Sequence, residues 1–418
     1  MNSVSQRGAL CYTANMSRNL GITHGPRVLF VTTVASTLEA FLLPYARALR
    51  ADGARVDALA ADALSVAGLE GEFDQRFEIG WSRSLRCLAH YLRLARELRA
   101  LVARERYDVI WTHTPLASII TRAALRHQRQ TMPGSTATDM PAPRVVYTAH
   151  GFHFYRSHRR RPSFRQGAYR VLERIALRWT DVMVVMNDED EVAASRWFAS
   201  PRRRCELVRI DGIGIDSAAW APLVPDDARC EELRTRYQIP MGSFVVTQIA
   251  EMNANKRHEL LIEAAALLQR AQSLPWMRLV LVGQGPLENK LRALVEARGL
   301  TGVVIFTGQL STTQLRELLT LTNIGLLVSE REGLPRSLME MCAAGIPIAG
   351  TRTRGVVDEV ADSRALASAP TPQALADLIE ELAKNSSLRA ELAHNQYARL
   401  EERYDLRHIL PRYLELLR

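Results

Sequence analysis

Lysine is nearly missing from this chain. Of 54 basic residues only three, Lys256, Lys290 and Lys384, are lysines, so a lysine inside a motif carries more information than usual. Cysteine is sparse as well. Cys11, Cys87, Cys205, Cys230 and Cys342 are scattered without metal-like pairing, which reads as free thiols in a reducing cytoplasm. No apolar run approaches the roughly 20 residues needed to span a bilayer. The first 25 residues lack the apolar core of a signal peptide and predict a disordered tail. The excess of positive charge is not accompanied by a recognised nucleic-acid-binding module, which argues against nucleic acid as a partner.

What is present is an ordinary globular composition, 47% apolar and 24% charged over 418 residues, long enough that two domains are the natural prior. The net charge of +9 is unevenly placed. Residues 1–215 hold 31 basic against 20 acidic side chains, and the remainder 23 against 25. A basic first half joined to a near-neutral second half suggests a division of labour, with the first facing anionic lipid or phosphate. Strands and helices alternate along both halves. Apolar runs at residues 28–31, 56–60, 109–111, 145–147 and 182–185 predict strands, as do 244–249, 279–282, 303–306 and 324–328. Leu85, Leu88, Leu92, Ala95, Leu98 and Val102 fall on one stripe of an arginine-rich helix. The polar insert at 128–143 reads as a loop, and the segment 209–220, with Gly212 and Gly214, as a linker. The expected architecture is two doubly wound parallel sheets, residues 26–215 and 216–395, with ligands at strand carboxyl ends in a central cleft.

Residues 329–340 carry the most chemistry. Glu332 should stand at the carboxyl end of the 324–328 strand. Gly333 permits a tight turn, Pro335 suits a first helical position, and Glu340 falls inside the following helix. The free N–H groups of that helix start attract an anion, and carboxylates accept hydrogen bonds from sugar hydroxyls. Together these suggest a nucleotide-sugar site.

Further motifs occur in order. Thr32-Thr33-Val34 follows the first strand, and Thr112-His113-Thr114-Pro115 the third. Then come Tyr147-Thr148-Ala149-His150-Gly151-Phe152-His153-Phe154-Tyr155, Gly212-Ile213-Gly214-Ile215-Asp216, Asn253-Ala254-Asn255-Lys256 and Gly283-Gln284-Gly285-Pro286. With Glu332 and Glu340, these motifs make the chain resemble the family 4 glycosyltransferases of the GT-B fold. It is most similar to the branch that builds bacterial capsule, exopolysaccharide and O-antigen units.

The resemblance implies roles for individual residues. Glu332 contacts the transferred sugar and Glu340 the ribose, while Lys256 neutralises the departing diphosphate and His150 lies close to the reaction centre. Gly333, Leu334, Pro335, Gly283, Gly285, Asn253 and Arg354 are expected on the donor, with the two later glycines allowing close backbone approach. His113, Thr114 and His153 are candidates for acceptor contact. Arg159, Arg160 and Arg161, in a basic run after residue 155, are candidates for acceptor pyrophosphate or anionic headgroups. The C-terminal helix, 396–418, is expected to pack back on the first domain. One departure stands out: many relatives carry arginine where this chain has Glu251, and Arg257, Arg336 or Arg354 are the candidates to replace it.

Asp188-Glu189-Asp190 follows Asn187 and reads as a capped helix start rather than a metal site. No metal and no cofactor are expected. The implied activity is retaining transfer of a hexose or N-acetylhexosamine from a nucleoside diphosphate sugar, UDP by resemblance, to a lipid-linked saccharide. The place would be the cytoplasmic face of the plasma membrane, with the protein peripheral to it. A sugar-nucleotide epimerase of the same fold and a non-catalytic subunit of a polysaccharide assembly complex are the alternatives.

Overall fold

The computed structural model describes residues 25–81, 88–127, 142–152, 164–198, 205–224 and 226–418. Residues 1–24 of the tail expected at 1–25, residues 128–141 of the insert expected at 128–143, and the segment holding His153, Arg159, Arg160 and Arg161 lie outside the described residues. The chain divides into two compact units, Met1–Ile213 with Ile409–Arg418, and Gly214–His408.

Unit 1 is built on a seven-stranded parallel sheet. Its strands are β1 Arg27–Val31, β2 Arg55–Ala60, β3 Gln75–Glu78, β4 Val109–His113, β5 Arg144–Ala149, β6 Val182–Val185 and β7 Glu206–Arg209, ordered β3-β2-β1-β4-β5-β6-β7. The inner strands are continuous apolar runs because helices cover both faces of such a sheet. The helices are α1 Leu43–Ala51, α2 Leu88–Glu105, α3 Pro115–Ala124, α4 Phe164–Ala176 and α5 Asp188–Phe198. Of the stripe expected on α2, Leu98 and Val102 are buried and Ala95 packs on the core. Leu94 and Leu101 are buried too, whereas Leu92 is 49% exposed, so the i, i+4, i+7 row starting at Leu94 faces the sheet.

Unit 2 carries a five-stranded parallel sheet, β8 Phe244–Ile249, β9 Met277–Val282, β10 Val304–Gly308, β11 Ile324–Leu327 and β12 Ile348–Gly350, in the order β10-β9-β8-β11-β12. Its helices are α6 Asp227–Tyr237, α7 His258–Arg270, α8 Glu288–Ala297, α9 Thr312–Leu319, α10 Arg336–Ala343, α11 Val356–Val360, α12 Pro372–Lys384 and α13 Ser386–Arg403. The final helix, α14 Leu406–Leu416, spans the division between the units.

The return to unit 1 therefore begins at Ile409 rather than at 396. Leu392, Leu400 and Tyr404 belong to the core of unit 2, and the buried Gln396 amide bonds to both the N–H and the carbonyl of Ile348 on β12. Beyond 409 the chain completes an aromatic cluster. Tyr413 is fully buried and stacks on Tyr45 and Trp111 at 5.3 and 5.2 Å between ring centroids, a spacing favourable to edge-on and tilted pairs. Its hydroxyl donates to Gly212 O, as the Tyr45 hydroxyl does to Ile213 O.

In each sheet the strand order reverses beside the first strand laid down, β1 against β4 and β8 against β11. Loops leaving the carboxyl ends of such strand pairs diverge and leave room for a ligand.

Candidate functional site

In unit 2 the loops after β8 and β11 are tied together by side-chain amides. The buried Gln248 donates to Lys256 O at 3.1 Å and accepts from Val328 N at 3.0 Å. Asn255 donates from Nδ2 to Arg331 O at 2.9 Å, and its main-chain oxygen accepts from Glu330 N at 2.8 Å. Lys256 is thereby set beside Glu332, and Nζ lies 2.8 Å from Oε1. Arg354, buried on the loop after β12, donates from Nε to the main-chain oxygen of Glu332 at 2.9 Å.

The helix after this loop, α10, starts at Arg336, with Pro335 at its N-cap and not inside the first turn as expected. The ring fixes φ at −79° while ψ of 105° keeps the residue extended. No side chain caps this helix start, so its polar end is left to a ligand or water. Gly355 presses on the same loop. At φ +77° it stands where a Cβ would lie 2.2 Å from Gly333 O, a contact that only glycine allows. Glu340 sits on α10 and pairs with Arg336 at 2.8 Å. Burial pushes its carboxyl up from the ordinary range, with Arg336 opposing.

Three residues expected on the donor, Gly283, Gly285 and Asn253, also make contacts within unit 2. The close approach permitted by Gly283 and Gly285 is to this unit's own chain: a Cβ would lie 2.3 Å from Ala250 O at Gly283 and 2.5 Å from Met252 O at Gly285. Asn253 accepts from Asn255 N and donates to Glu251, both within its own turn. Of the replacements considered for the missing arginine, Arg257 turns to Glu259 and Glu330, and Arg336 to Glu340. Arg354 is the one built against Glu332.

In unit 1, His113 ends β4 and His150 follows β5, its neighbour in the sheet. His113 Nδ1 and His150 Nε2 lie 2.8 Å apart, so one ring donates and the other accepts. Burial, reinforced by His150, holds the His113 pKa well below the ordinary range. A neutral His113 ring is the consequence. Thr114 occupies φ +62° and meets the Thr33 hydroxyl at 2.6 Å, joining the β1 and β4 loops at the reversal of strand order. Asp190, buried in the first turn of α5, accepts from Phe152 N at 3.1 Å and from Asn187 Nδ2 at 3.0 Å. Asn187 Oδ1 in turn accepts from Asp190 N. This is the capped start expected of that acidic run, and it also anchors the backbone just after His150. Among the described residues no group of three or more His, Cys, Asp or Glu is arranged to hold a metal ion.

The description "Glycosyl transferase 4-like domain" matches residues 36–210, and "Glycosyl transferases group 1" matches residues 230–399. A putative glycosyltransferase of Bacillus subtilis, EpsD, is 31% identical over 79% of this chain and 79% of its own length. The chain belongs to the family 4 glycosyltransferases. An Escherichia coli enzyme named as a UDP-Gal:α-D-GlcNAc-diphosphoundecaprenol α-1,3-galactosyltransferase is 25% identical over 60% of this glycosyltransferase and 59% of its own length. Among solved structures, Anabaena HepE in complex with UDP and glucose has a TM-score of 0.73 at 19% identity, covering 94% of this chain and 99% of that one. WaaG, described as a glycosyltransferase involved in lipopolysaccharide biosynthesis, has a TM-score of 0.66 at 18% identity, covering 93% and 99%. At such identities the likeness is one of fold, and it agrees with two parallel-sheet GT-B domains.

The glycosyltransferase also holds a group that motif reading passed over. Glu359, on α11, is 4% exposed, and neither carboxyl oxygen accepts a hydrogen bond from any described residue. The signal was present in the spacing. Val356, Glu359 and Val360 stand at i, i+3 and i+4 on one face, and the two valines are fully buried, so an acid occupies a core position.

Proposed function

We propose that this glycosyltransferase moves a hexose or N-acetylhexosamine, with retention, from a UDP-sugar to a lipid-linked saccharide during cell-surface polysaccharide synthesis. The observation that carries the reading is the Lys256–Glu332 pair, 2.8 Å apart at the ends of adjacent strands. The Arg354 guanidinium reaches the Glu332 loop from the loop after β12, and an uncapped helix start follows Glu332. Bond cleavage concentrates negative charge on the leaving diphosphate, so a fixed ammonium there stabilises the transition state more than the ground state. Glu332 is suited to the hydroxyls of the moving sugar and Glu340 to the ribose, since carboxylates accept bidentate hydrogen bonds from vicinal diols. His150 supplies an imidazole for a sugar hydroxyl, and the leaving phosphate takes the acceptor's proton. Lys256 and the helix start hold the diphosphate without a metal or cofactor.

UDP-Gal and α-D-GlcNAc-diphosphoundecaprenol are the donor and acceptor in the name of the Escherichia coli relative, and the HepE structure is a complex with UDP and glucose. An anionic membrane face is included because α4 exposes Val171, Leu172 and Ile175 beside Arg170, Arg174 and Arg178. The test is purified protein with a panel of UDP-sugars, with and without a lipid-pyrophosphate-linked acceptor. UDP release that depends on acceptor supports transfer. Acceptor-free interconversion of the sugar would replace transfer by epimerisation, and absence of nucleotide binding would point to a non-catalytic subunit.

A further inference from the structure

Glu359 lies within electrostatic reach of the proposed donor site. Glu332 and Lys256 reach it electrostatically from the β11 and β8 loops, Asp358 from its own helix, and the Cys342 thiol from α10. The cations nearby are engaged with other groups. Arg354 donates to Glu332 O, Arg336 pairs with Glu340, and Arg399 donates to Asp358 O, as does the Tyr404 hydroxyl. An ionised carboxylate left without hydrogen bonds in a dry setting costs far more than the neutral acid. Burial, then the negative charges of Glu332 and Asp358, push the Glu359 carboxyl well above its ordinary range, and Lys256 opposes them.

We propose that Glu359 is a positioning residue that carries a proton in the binding-competent enzyme, leaving the charge of Lys256 available to the donor's diphosphate. The inference rests on the donor-site reading given above. Were Glu359 ionised, two carboxylates would compete for one ammonium, and the added negative charge would repel an anionic ligand. Linkage makes the effect reciprocal: a bound diphosphate raises the hold of Glu359 on its proton, so donor binding draws in a proton wherever Glu359 is partly ionised.

Calorimetric titration with UDP from neutral to alkaline pH tests this, comparing the wild type with Glu359→Gln and Glu359→Leu, each checked for a cooperative melt. The wild-type affinity should fall by about tenfold as Glu359 loses its proton, the scale set by one like charge at close range. Both variants should lose that extra dependence and keep only the titration common to all three proteins. In alkaline buffers of different ionisation enthalpy the wild type should take up protons on binding UDP, and the variants should not. Variants that follow the wild type in pH dependence and proton uptake overturn the role of Glu359 alone. If no protein binds UDP at any pH, the donor-site reading fails and this inference with it.

Discussion

Lys256 and Glu332 satisfy each other at 2.8 Å, so a bound donor has to come between them or bridge them. Removing either partner therefore does two things, deleting a donor contact and releasing the other side chain. Glu332→Ala should lower kcat by at least about 100-fold, the usual loss for a preorganised polar contact to a reacting group, while Lys256 stays free to hold UDP. Lys256→Ala should lose both rate and UDP affinity. Steady-state kinetics and a UDP titration on both variants distinguish them, and wild-type turnover in Glu332→Ala would remove Glu332 from the site.

A second residue effect concerns acid stability. His258 is buried at the first position of α7, and neither ring nitrogen bonds to a described residue. Burial brings its pKa down to about 4, with Lys256 helping and Glu259 opposing. The unfolded chain takes up this proton near about 6.5, so below that pH it binds more protons than the folded state and stability declines. The loss is on the order of 3 kcal/mol once the folded-state value is passed, and His113 acts in the same direction. Urea unfolding at neutral pH and at about pH 4.5 should show a smaller acid loss in His258→Asn than in the wild type.

At the scale of elements, α3 and α4 are held by a buried ion pair. Arg122 donates to Glu173 at 2.7 Å with both side chains nearly inaccessible, and its guanidinium lies 4.1 Å from the centroid of the Tyr147 ring. Glu173→Ala leaves a buried cation without its partner and should cost about 3–5 kcal/mol in a denaturant titration. The outer side of α4 has the opposite character, with Val171 56% exposed next to arginines. Vesicles containing phosphatidylglycerol should co-float the protein, and Val171→Asp with Leu172→Asp should weaken that binding while transfer to a soluble acceptor analogue continues. Equal binding to neutral vesicles would remove the electrostatic part of the explanation.

The strands that sequence reading missed fall into two kinds. β3 and β7 are edge strands, short and carrying polar or half-exposed residues, so they lack the continuous apolar run that marks a strand covered on both faces, while β12 is buried but only three residues long. The inner strands were legible for the complementary reason. At the site, Glu332, Glu340, Lys256 and His150 could be picked out by residue type and spacing. Their mutual pairing could not, because which cation a carboxylate meets is decided by loops that Gln248 and Asn255 bind together over 76 to 80 residues of chain. Those separations, Gln248 to Val328 and Asn255 to Arg331, leave no periodic trace.

For the whole molecule, the two units differ in how the chain supplies them. Unit 2 is continuous from Gly214 to His408, whereas unit 1 takes its last ten residues from the C-terminus. Tyr413 fills the space between Tyr45 and Trp111, and Arg418 pairs with Asp52 at 2.9 Å. Tyr413→Ala should cost about 3–5 kcal/mol by opening a cavity in that cluster. Hydrogen exchange should show the loss in β1 and β4, while β8 and β9 keep their protection; uniform loss across both units would mean that they unfold as one. The arrangement also sets an order of events on the ribosome. The unit begun first cannot be finished until the final helix emerges, some two hundred residues after the rest of its sheet has been made, so Trp111 waits with an uncovered face throughout the synthesis of unit 2.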